Sequence, residues 1–356
     1  MSKVKKITGS KMFLPVFCML LVLCINVVYD VSQGNAFYDF FKIGITNSLL
    51  SGRLVNILNR GSEVAILAVG MTLVVSASAG TDISVGSVMA LCAAVCCVIL
   101  AGPAAPQATV LAAPLIVGVL GGVVMGCVCG AFNGALVAYL NIQPMVATLI
   151  LWTAARAIGL LVCNNLIVYV RNDTFGILGG YVGFFPTPII IAAVVIAVVA
   201  LVLKFTAMGM YIQSVGINKN ASRIAGLNSK RIIFLCYLLC GVCASIAGVV
   251  AASRITSADS NNIGLNCELD AILAVALGGN SLGGGKFNLA GSIIGAYTIQ
   301  AITTTMYNMG VSSAQAPVFK AIVVIVIVAI QAPPVKAWFK KLGAKHASGG
   351  KEVARV

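Results

Sequence analysis

The chain has 356 residues, of which 60% are apolar and only 9% charged, with a net charge of +14 and a mean hydropathy of +1.04. A water-soluble globule carries roughly a quarter charged residues, so this composition excludes one. Lipid is the solvent for most of the chain, and there every backbone polar group must bond internally, in helices or in a closed barrel. The apolar runs at 189–203 and 321–330 are continuous, without the alternation of barrel strands. The class is an all-α integral membrane protein.

A crossing needs about 20 mostly apolar residues. In chain order, the segments that fit are 12–28, 64–79, 83–101, 109–139, 144–163, 187–203, 232–252, 269–279, 289–309 and 318–332, giving about ten transmembrane helices. The run at 269–279 is short and reads as part of a broken or re-entrant helix. Lys3, Lys5, Lys6 and Lys11 hold the N-terminal tail 1–11 in the cytoplasm, and ten crossings of the domain 12–332 return the tail 333–356 to the same side. That count places sixteen of the 23 Lys and Arg residues inside, the bias that orients membrane proteins. The loop 204–231, with Lys204, Lys219, Arg223, Lys230 and Arg231, is the largest basic cytoplasmic segment. The first apolar run follows lysines as a secretory signal would, but no small-residue cleavage site follows it, so it reads as a retained anchor. The positive charge tracks cytoplasmic loops and has no aromatic interleaving, which excludes a nucleic-acid partner.

The chain carries few of the side chains that perform chemistry. Its one histidine is His346, in the basic tail, and its twelve cysteines stand mostly inside apolar runs, where they behave as small apolar residues. Gly283-Gly284-Gly285-Lys286 lacks the spacing of a phosphate-binding loop, and Phe287 stands where a hydroxyl would meet magnesium. No catalytic residue, cofactor site or metal site is expected in this chain.

Ala65-Ile66-Leu67-Ala68-Val69 recurs letter for letter as Ala271-Ile272-Leu273-Ala274-Val275. Each copy leads into a polar, glycine-rich break, at 76–82 and at 278–285, and then into a small-residue span opening on Gly86-Ser87 or Gly291-Ser292. This pattern favours an internal parallel repeat, a recurrent transporter architecture in which interrupted helices form the substrate path.

Four ordered blocks carry a family resemblance. Gly70-Met71-Thr72-Leu73-Val74-Val75 with Gly80-Thr81-Asp82-Ile83-Ser84-Val85-Gly86-Ser87, the stretch 215–228, Glu268-Leu269-Asp270-Ala271-Ile272-Leu273-Ala274-Val275, and 278–289 resemble the membrane permease subunits of ribose-type ABC sugar importers, within the branched-chain amino acid/ribose permease family. Asn56-Ile57-Leu58-Asn59-Arg60, 142–150 and 258–265 are similar to members that import galactofuranose. One departure is local: that family usually reads Gly-Gly-Ile-Asp-Leu-Ser, where this chain has Ala79-Gly80-Thr81-Asp82-Ile83-Ser84.

The resemblance implies a non-catalytic bacterial inner-membrane permease that translocates a monosaccharide such as galactofuranose or ribose by alternating access. It implies a cytoplasmic ABC ATPase holding ATP and magnesium, an extracytoplasmic sugar-binding protein, and a second copy or paralogue as partners. Asn220, Ala221, Ser222, Arg223 and Gly226 then form the ATPase-coupling helix, with Gly226 ending it at positive φ; the bland alternative is an ordinary positive-inside loop. Asp82 is costly near a membrane turn and reads as an N-cap for the amides near Val85, as a substrate or gating contact, or as part of the coupling. With it, Ser84, Thr72, Ser76, Asn133, Gln143, Gln300, Thr304 and Tyr307 are candidates for the path, since sugar hydroxyls pair with amides and hydroxyls. Arg254, Asp259, Glu268 and Asp270 read as a docking rim for the binding protein or as a solvated rim. The alternatives are an ion-gradient-driven secondary sugar transporter, weakened by the lack of an intramembrane carboxylate or histidine relay, and a channel or scaffold.

Overall fold

The computed structural model describes residues 12–34, 39–46, 49–102, 107–312 and 315–331. The tails 1–11 and 333–356, with their lysines and His346, lie outside the described residues. The chain divides into two compact units, Met1–Ala301 and Ile302–Val356.

Every one of the ten apolar segments forms a helix: α1 (Phe13–Ser32), α2 (Arg53–Ser78), α3 (Val85–Ala101), α4 (Leu115–Ala138), α5 (Pro144–Val162), α7 (Thr187–Phe205), α10 (Ser229–Ile255), α11 (Cys267–Leu277), α12 (Leu289–Asn308) and α13 (Ala316–Gln331). Among the described residues three shorter α-helices lie between them, α6 (Asp173–Gly179), α8 (Met208–Ile217) and α9 (Lys219–Ile224), with a single 3-10 turn at Asp39–Phe41. Among the described residues six, namely α1, α2, α4, α5, α7 and α10, are long and apolar enough to cross a membrane, and α3 is a shorter apolar helix. Short strands occupy the connections: β1 (Gly44–Thr46), β2 (Leu49–Ser51), β3 (Gln107–Ala108), β4 (Val168–Val170), β5 (Tyr181–Val182), β6 (Phe185–Pro186) and β7 (Ser257–Ala258). β4 runs parallel to β3 and antiparallel to β7, pairing Val168 with Ala258.

The first unit is organised around α2, whose apolar window is 89% buried, whereas that of α7 is only 11% buried. The difference sorts helices into a central one and one whose Val194, Val198 and Leu201 face outward, as a lipid-facing helix requires. α2 begins at Arg53, eleven residues before the apolar run at 64–79. Several polar groups of its first turns are partnered: Arg53 pairs with buried Asp30, Glu63 with Arg254 at 2.9 Å, and the Ser62 hydroxyl donates to the Leu58 carbonyl.

α10 packs along α4 through small residues. Gly118, Gly122, Gly126, Gly130 and Gly134 recur every fourth position of α4, all buried. A Cβ added at Gly130 would stand 2.5 Å from the Tyr237 carbonyl oxygen and 2.9 Å from Leu238 Cα. The two backbones approach so closely that only glycine fits, which is how helices gain dispersion where no hydrophobic effect drives them together.

The two copies of the repeated pentapeptide meet in the interior. Ala65 and Ala68 of α2 cluster with Ala274 of α11 and Ala296 of α12, all fully buried. α11 has only 11 residues and is preceded by the non-helical stretch 259–266. In the second unit, Thr303, Thr304 and Thr305 of α12 are buried and Tyr307 is exposed.

Candidate translocation site and coupling surface

The first break is built by the residues that end α2 and start α3. Ala79 takes a left-handed φ of 54°, its N–H closing the helix on the Val75 carbonyl. Asp82 then sits 4% exposed, its Oδ1 accepting the Ser84 amide at 2.9 Å and the Ser84 hydroxyl at 2.6 Å. Asn133 Nδ2 of α4 donates to the same Ser84 hydroxyl at 2.8 Å, and Ile83 N donates to Thr148 Oγ1 of α5 at 3.2 Å. Three of the sequence candidates, Asp82, Ser84 and Asn133, therefore form one buried polar cluster. The Asp82 carboxylate holds the turn into α3 at Ser84. Asn133 Oδ1 is buried without a protein partner, an acceptor left over at the centre of the cluster.

Ser76 and Thr72 lie about one and two turns before Ala79, where α2 ends. The Thr72 hydroxyl donates to the Ala68 carbonyl at 2.6 Å and stands 2.7 Å from the Ser292 hydroxyl of α12. The Ser76 hydroxyl donates back to the Thr72 carbonyl at 2.6 Å. Asn280, absent from the sequence candidates, organises the second break: its Nδ2 donates to Ser292 Oγ at 2.8 Å and its Oδ1 accepts the Asn288 amide at 2.5 Å. A polar chain thus runs from Thr72 through Ser292 to Asn280 and Asn288. The signal in the sequence was an asparagine within a polar, glycine-rich break.

The stretch 259–266 brings non-helical backbone against the first turns of α3. A Cβ on Gly86 would overlap the Glu268 carboxylate and the Gly264 carbonyl. Non-helical backbone at such depth survives only where its polar groups find partners. Arg156 of α5 supplies them, donating to the carbonyls of Ser260 at 2.7 Å, Asn261 at 2.9 Å and Ile263 at 3.4 Å. The five-donor fork of arginine suits several carbonyls at once, which accounts for a charge inside an apolar helix.

Arg254, Asp259, Glu268 and Asp270, read from the sequence as a docking rim or a solvated rim, differ in exposure. Glu268 is 5% exposed, with Oε1 accepting from Trp152 Nε1 at 3.2 Å, and Asp270 is 8% exposed. Both carboxylates are buried because 259–266 folds back onto α3 and carries the start of α11 inward with it. Arg254 is committed to Glu63 and to the Asn59 carbonyl at 3.0 Å. Asp259 remains half-exposed and caps its own loop through the amides of Asn261 and Asn262.

The basic segment 204–231 is folded rather than open loop. α8 and α9 are joined by the single residue Asn218, whose side chain caps α9 by accepting the Asn220 and Ala221 amides at 3.0 and 2.9 Å. Gly226 follows at φ +85°, reversing the chain toward α10. Asn220, Ala221, Arg223 and Gly226 are exposed and Ser222 is buried, so Ser222 anchors the helix while the other four face outward. Ile224 is 88% exposed beside Arg223. A cavity of about 560 Å³ at this surface is lined by Asn141, Lys219, Asn220, Arg223 and Lys230, with no carboxylate on its walls. A second cavity, of about 260 Å³, is lined by Ala79, Gln143, Gly216 and Lys219, and exposed Gln143 belongs to it rather than to the Asp82 cluster. Gln300 is half-buried on α12, while Thr304 and Tyr307 belong to the second unit. Among the described residues no group of three or more His, Cys, Asp or Glu side chains could hold a metal ion.

Comparison with known proteins places this arrangement. Residues 53–331 match the family described as branched-chain amino acid transport system / permease component. The chain is similar to the galactofuranose transporter permease protein YtfT of Escherichia coli K12, 42% identical over 82% of this chain and 83% of that protein. It is 35% identical to the fructose import permease protein FruF of Bifidobacterium longum, covering 93% of this chain and 90% of the relative. It is 36% identical to the ribose import permease protein RbsC of Escherichia coli K12, covering 80% and 87%. No solved structure matches. The chain belongs to the branched-chain amino acid transport system permease family, as a multi-pass inner-membrane permease subunit of the sugar ABC importer group.

Proposed function

We propose that this chain forms the translocation path of an ATP-driven importer for a monosaccharide of the galactofuranose, ribose or fructose kind. In this reading ten spans cross the membrane with both termini in the cytoplasm. A secreted sugar-binding protein delivers the substrate, a second copy or paralogue completes the path, and cytoplasmic ATPases holding ATP and magnesium drive alternating access. The chain itself makes and breaks no bond.

The observation that carries the proposal is α9. A six-residue helix is marginal on its own, yet this one is capped by Asn218, closed by Gly226 and held out with Ile224 88% exposed among Lys219, Arg223 and Lys230. An exposed large apolar side chain within a basic rim suits a protein groove that is apolar at its centre and acidic at its edge. Within the membrane, Asp82 holds the first break in shape, and the unpartnered Asn133 carbonyl oxygen is the acceptor offered to a sugar hydroxyl. Asp259 is the member of the expected rim that is left for contact with the binding protein.

Co-purification tests the reading. The unaltered chain brings down its ATPase from detergent-solubilised membranes, and Gly226→Trp or Ala221→Glu releases that ATPase while the permease still inserts. Retention of the ATPase by both variants, with normal sugar uptake, would remove the assignment.

A further inference from the structure

Three stretches of backbone meet at the end of the first unit nearest α9: the end of α2 with the first break, the second break, and the last turn of α8. Gly285 N–H donates to the Ser76 carbonyl oxygen at 3.0 Å. Gly216 lies against the same carbonyl so closely that a Cβ there would overlap its oxygen and stand 2.6 Å from Gly285 N. A Cβ on Gly284 would stand 2.9 Å from Ala79 Cβ and 3.1 Å from the Gly216 carbonyl oxygen. Three main chains are thus in direct van der Waals contact with no side chain interposed.

The neighbourhood of this junction is unequal on its two sides. Toward α9 there is no slack, because only Asn218 separates α8 from α9 and its amide continues the helical pattern by donating to Ser214. Toward the first break there is space, the cavity of about 260 Å³ walled by Ala77, Ser78, Ala79, Gly216 and Lys219. A rigid connection on one side and free volume on the other let a displacement pass from α9 to the breaks. Packed interfaces respond to small shifts by switching between discrete arrangements, not by smooth deformation.

We infer that Gly216, Ser76 and Gly285 form a backbone clasp through which displacement of α9 moves both interrupted helices together. Gly216 is a positioning residue: it contacts no substrate and no ATPase, and its lack of a side chain keeps α8 seated on the Ser76 carbonyl. The inference rests on the proposed ATP-driven import and adds the route by which the two breaks are coupled to it.

The test uses the whole transporter, with its ATPase and binding protein, in proteoliposomes supplied with radiolabelled galactose, ribose and fructose. Gly216→Ala and Gly285→Ala are compared with Gly176→Ala, whose Cβ meets no atom within 4 Å. The clasp predicts that Gly216→Ala keeps its ATPase and hydrolyses ATP, while sugar taken up per ATP falls roughly 5- to 150-fold, the range of a lost inter-site coupling. Gly285→Ala, whose Cβ meets Ile217 Cγ1 at 3.0 Å on a backbone held at φ +93°, makes a milder clash than Gly216→Ala, gives a smaller loss and carries the test if Gly216→Ala does not insert.

Hydrogen exchange supplies a readout that a purely structural role would not move. Peptides covering 74–82 and 281–288 change protection together between nucleotide-free and ATP-bound unaltered transporter, and the variants lose that joint response. Normal uptake per ATP in Gly285→Ala, or independent responses of the two peptides in the unaltered transporter, would overturn the clasp. Failure of the unaltered complex to use ATP at all would instead overturn the function it rests on.

Discussion

Asp82 separates a side chain that shapes a turn from one whose charge works on a substrate. Its Oδ1 accepts two hydrogen bonds, from the Ser84 amide and the Ser84 hydroxyl. Asp82→Ala leaves a buried amide unpaired, at about 1–3 kcal/mol, and removes a hydroxyl bond worth about 1 kcal/mol more, for a total of roughly 2–4 kcal/mol. Asp82→Asn keeps an acceptor oxygen in place. It loses about 1 kcal/mol of charge assistance per bond, and this is offset because a neutral amide costs less to bury than a carboxylate. The net loss for Asn is therefore about 1 kcal/mol. Thermal unfolding of the purified permease in detergent, alongside ATP-dependent uptake in proteoliposomes, gives both quantities. Asn is expected to track the unaltered protein in both, and Ala to unfold earlier and transport poorly. If Asp82→Asn were as unstable as Asp82→Ala, or stable but inactive, the turn-shaping role of Asp82 would be refuted.

Other substitutions follow from the packing. Gly130→Val drives a branched side chain into the Tyr237 and Leu238 backbone, an overpacking that costs about 1–3 kcal/mol; unfolding in detergent should show it, whereas Gly121→Ala, which meets the flexible end of Ile99, should be milder. Glu63→Ala leaves half-buried Arg254 without its carboxylate, which lowers stability by less than the roughly 3–5 kcal/mol of a fully buried pair, and the double variant Glu63→Gln with Arg254→Gln should recover part of it. In intact cells an impermeant maleimide should label a cysteine introduced at Arg171, and one at Arg223 only after the membrane is opened. Equal labelling of both in intact cells would contradict the ten-span arrangement.

The helices were legible because a lipid-spanning helix writes itself as a continuous apolar run, and all ten such runs are helical. The first turns of α2 were not, because Arg60 and Glu63 look extramembranous until Arg254, far along the chain, supplies a partner. The burial of Glu268 was hidden for the same reason: sequence order puts it beside a loop, and only the fold-back of 259–266 sets it against Gly86. Asp82, Ser84 and Asn133 were picked singly by polarity and Gly226 by turn chemistry, whereas the cap supplied by Asn218 was missed. Asn280 and Gly216 carry no sequence signal beyond their residue types, since their roles depend on which backbone arrives beside them. The five-glycine stripe of α4 was present at regular four-residue spacing, but its partner on α10 was not.

The account rests on transport driven from outside this chain, and ATP-dependent accumulation in proteoliposomes addresses that directly. With the ATPase and the binding protein present, the vesicles are expected to concentrate sugar only when ATP is supplied, and neither a proton nor a sodium gradient should replace it. Accumulation by the permease alone, driven by an imposed ion gradient, would contradict the account.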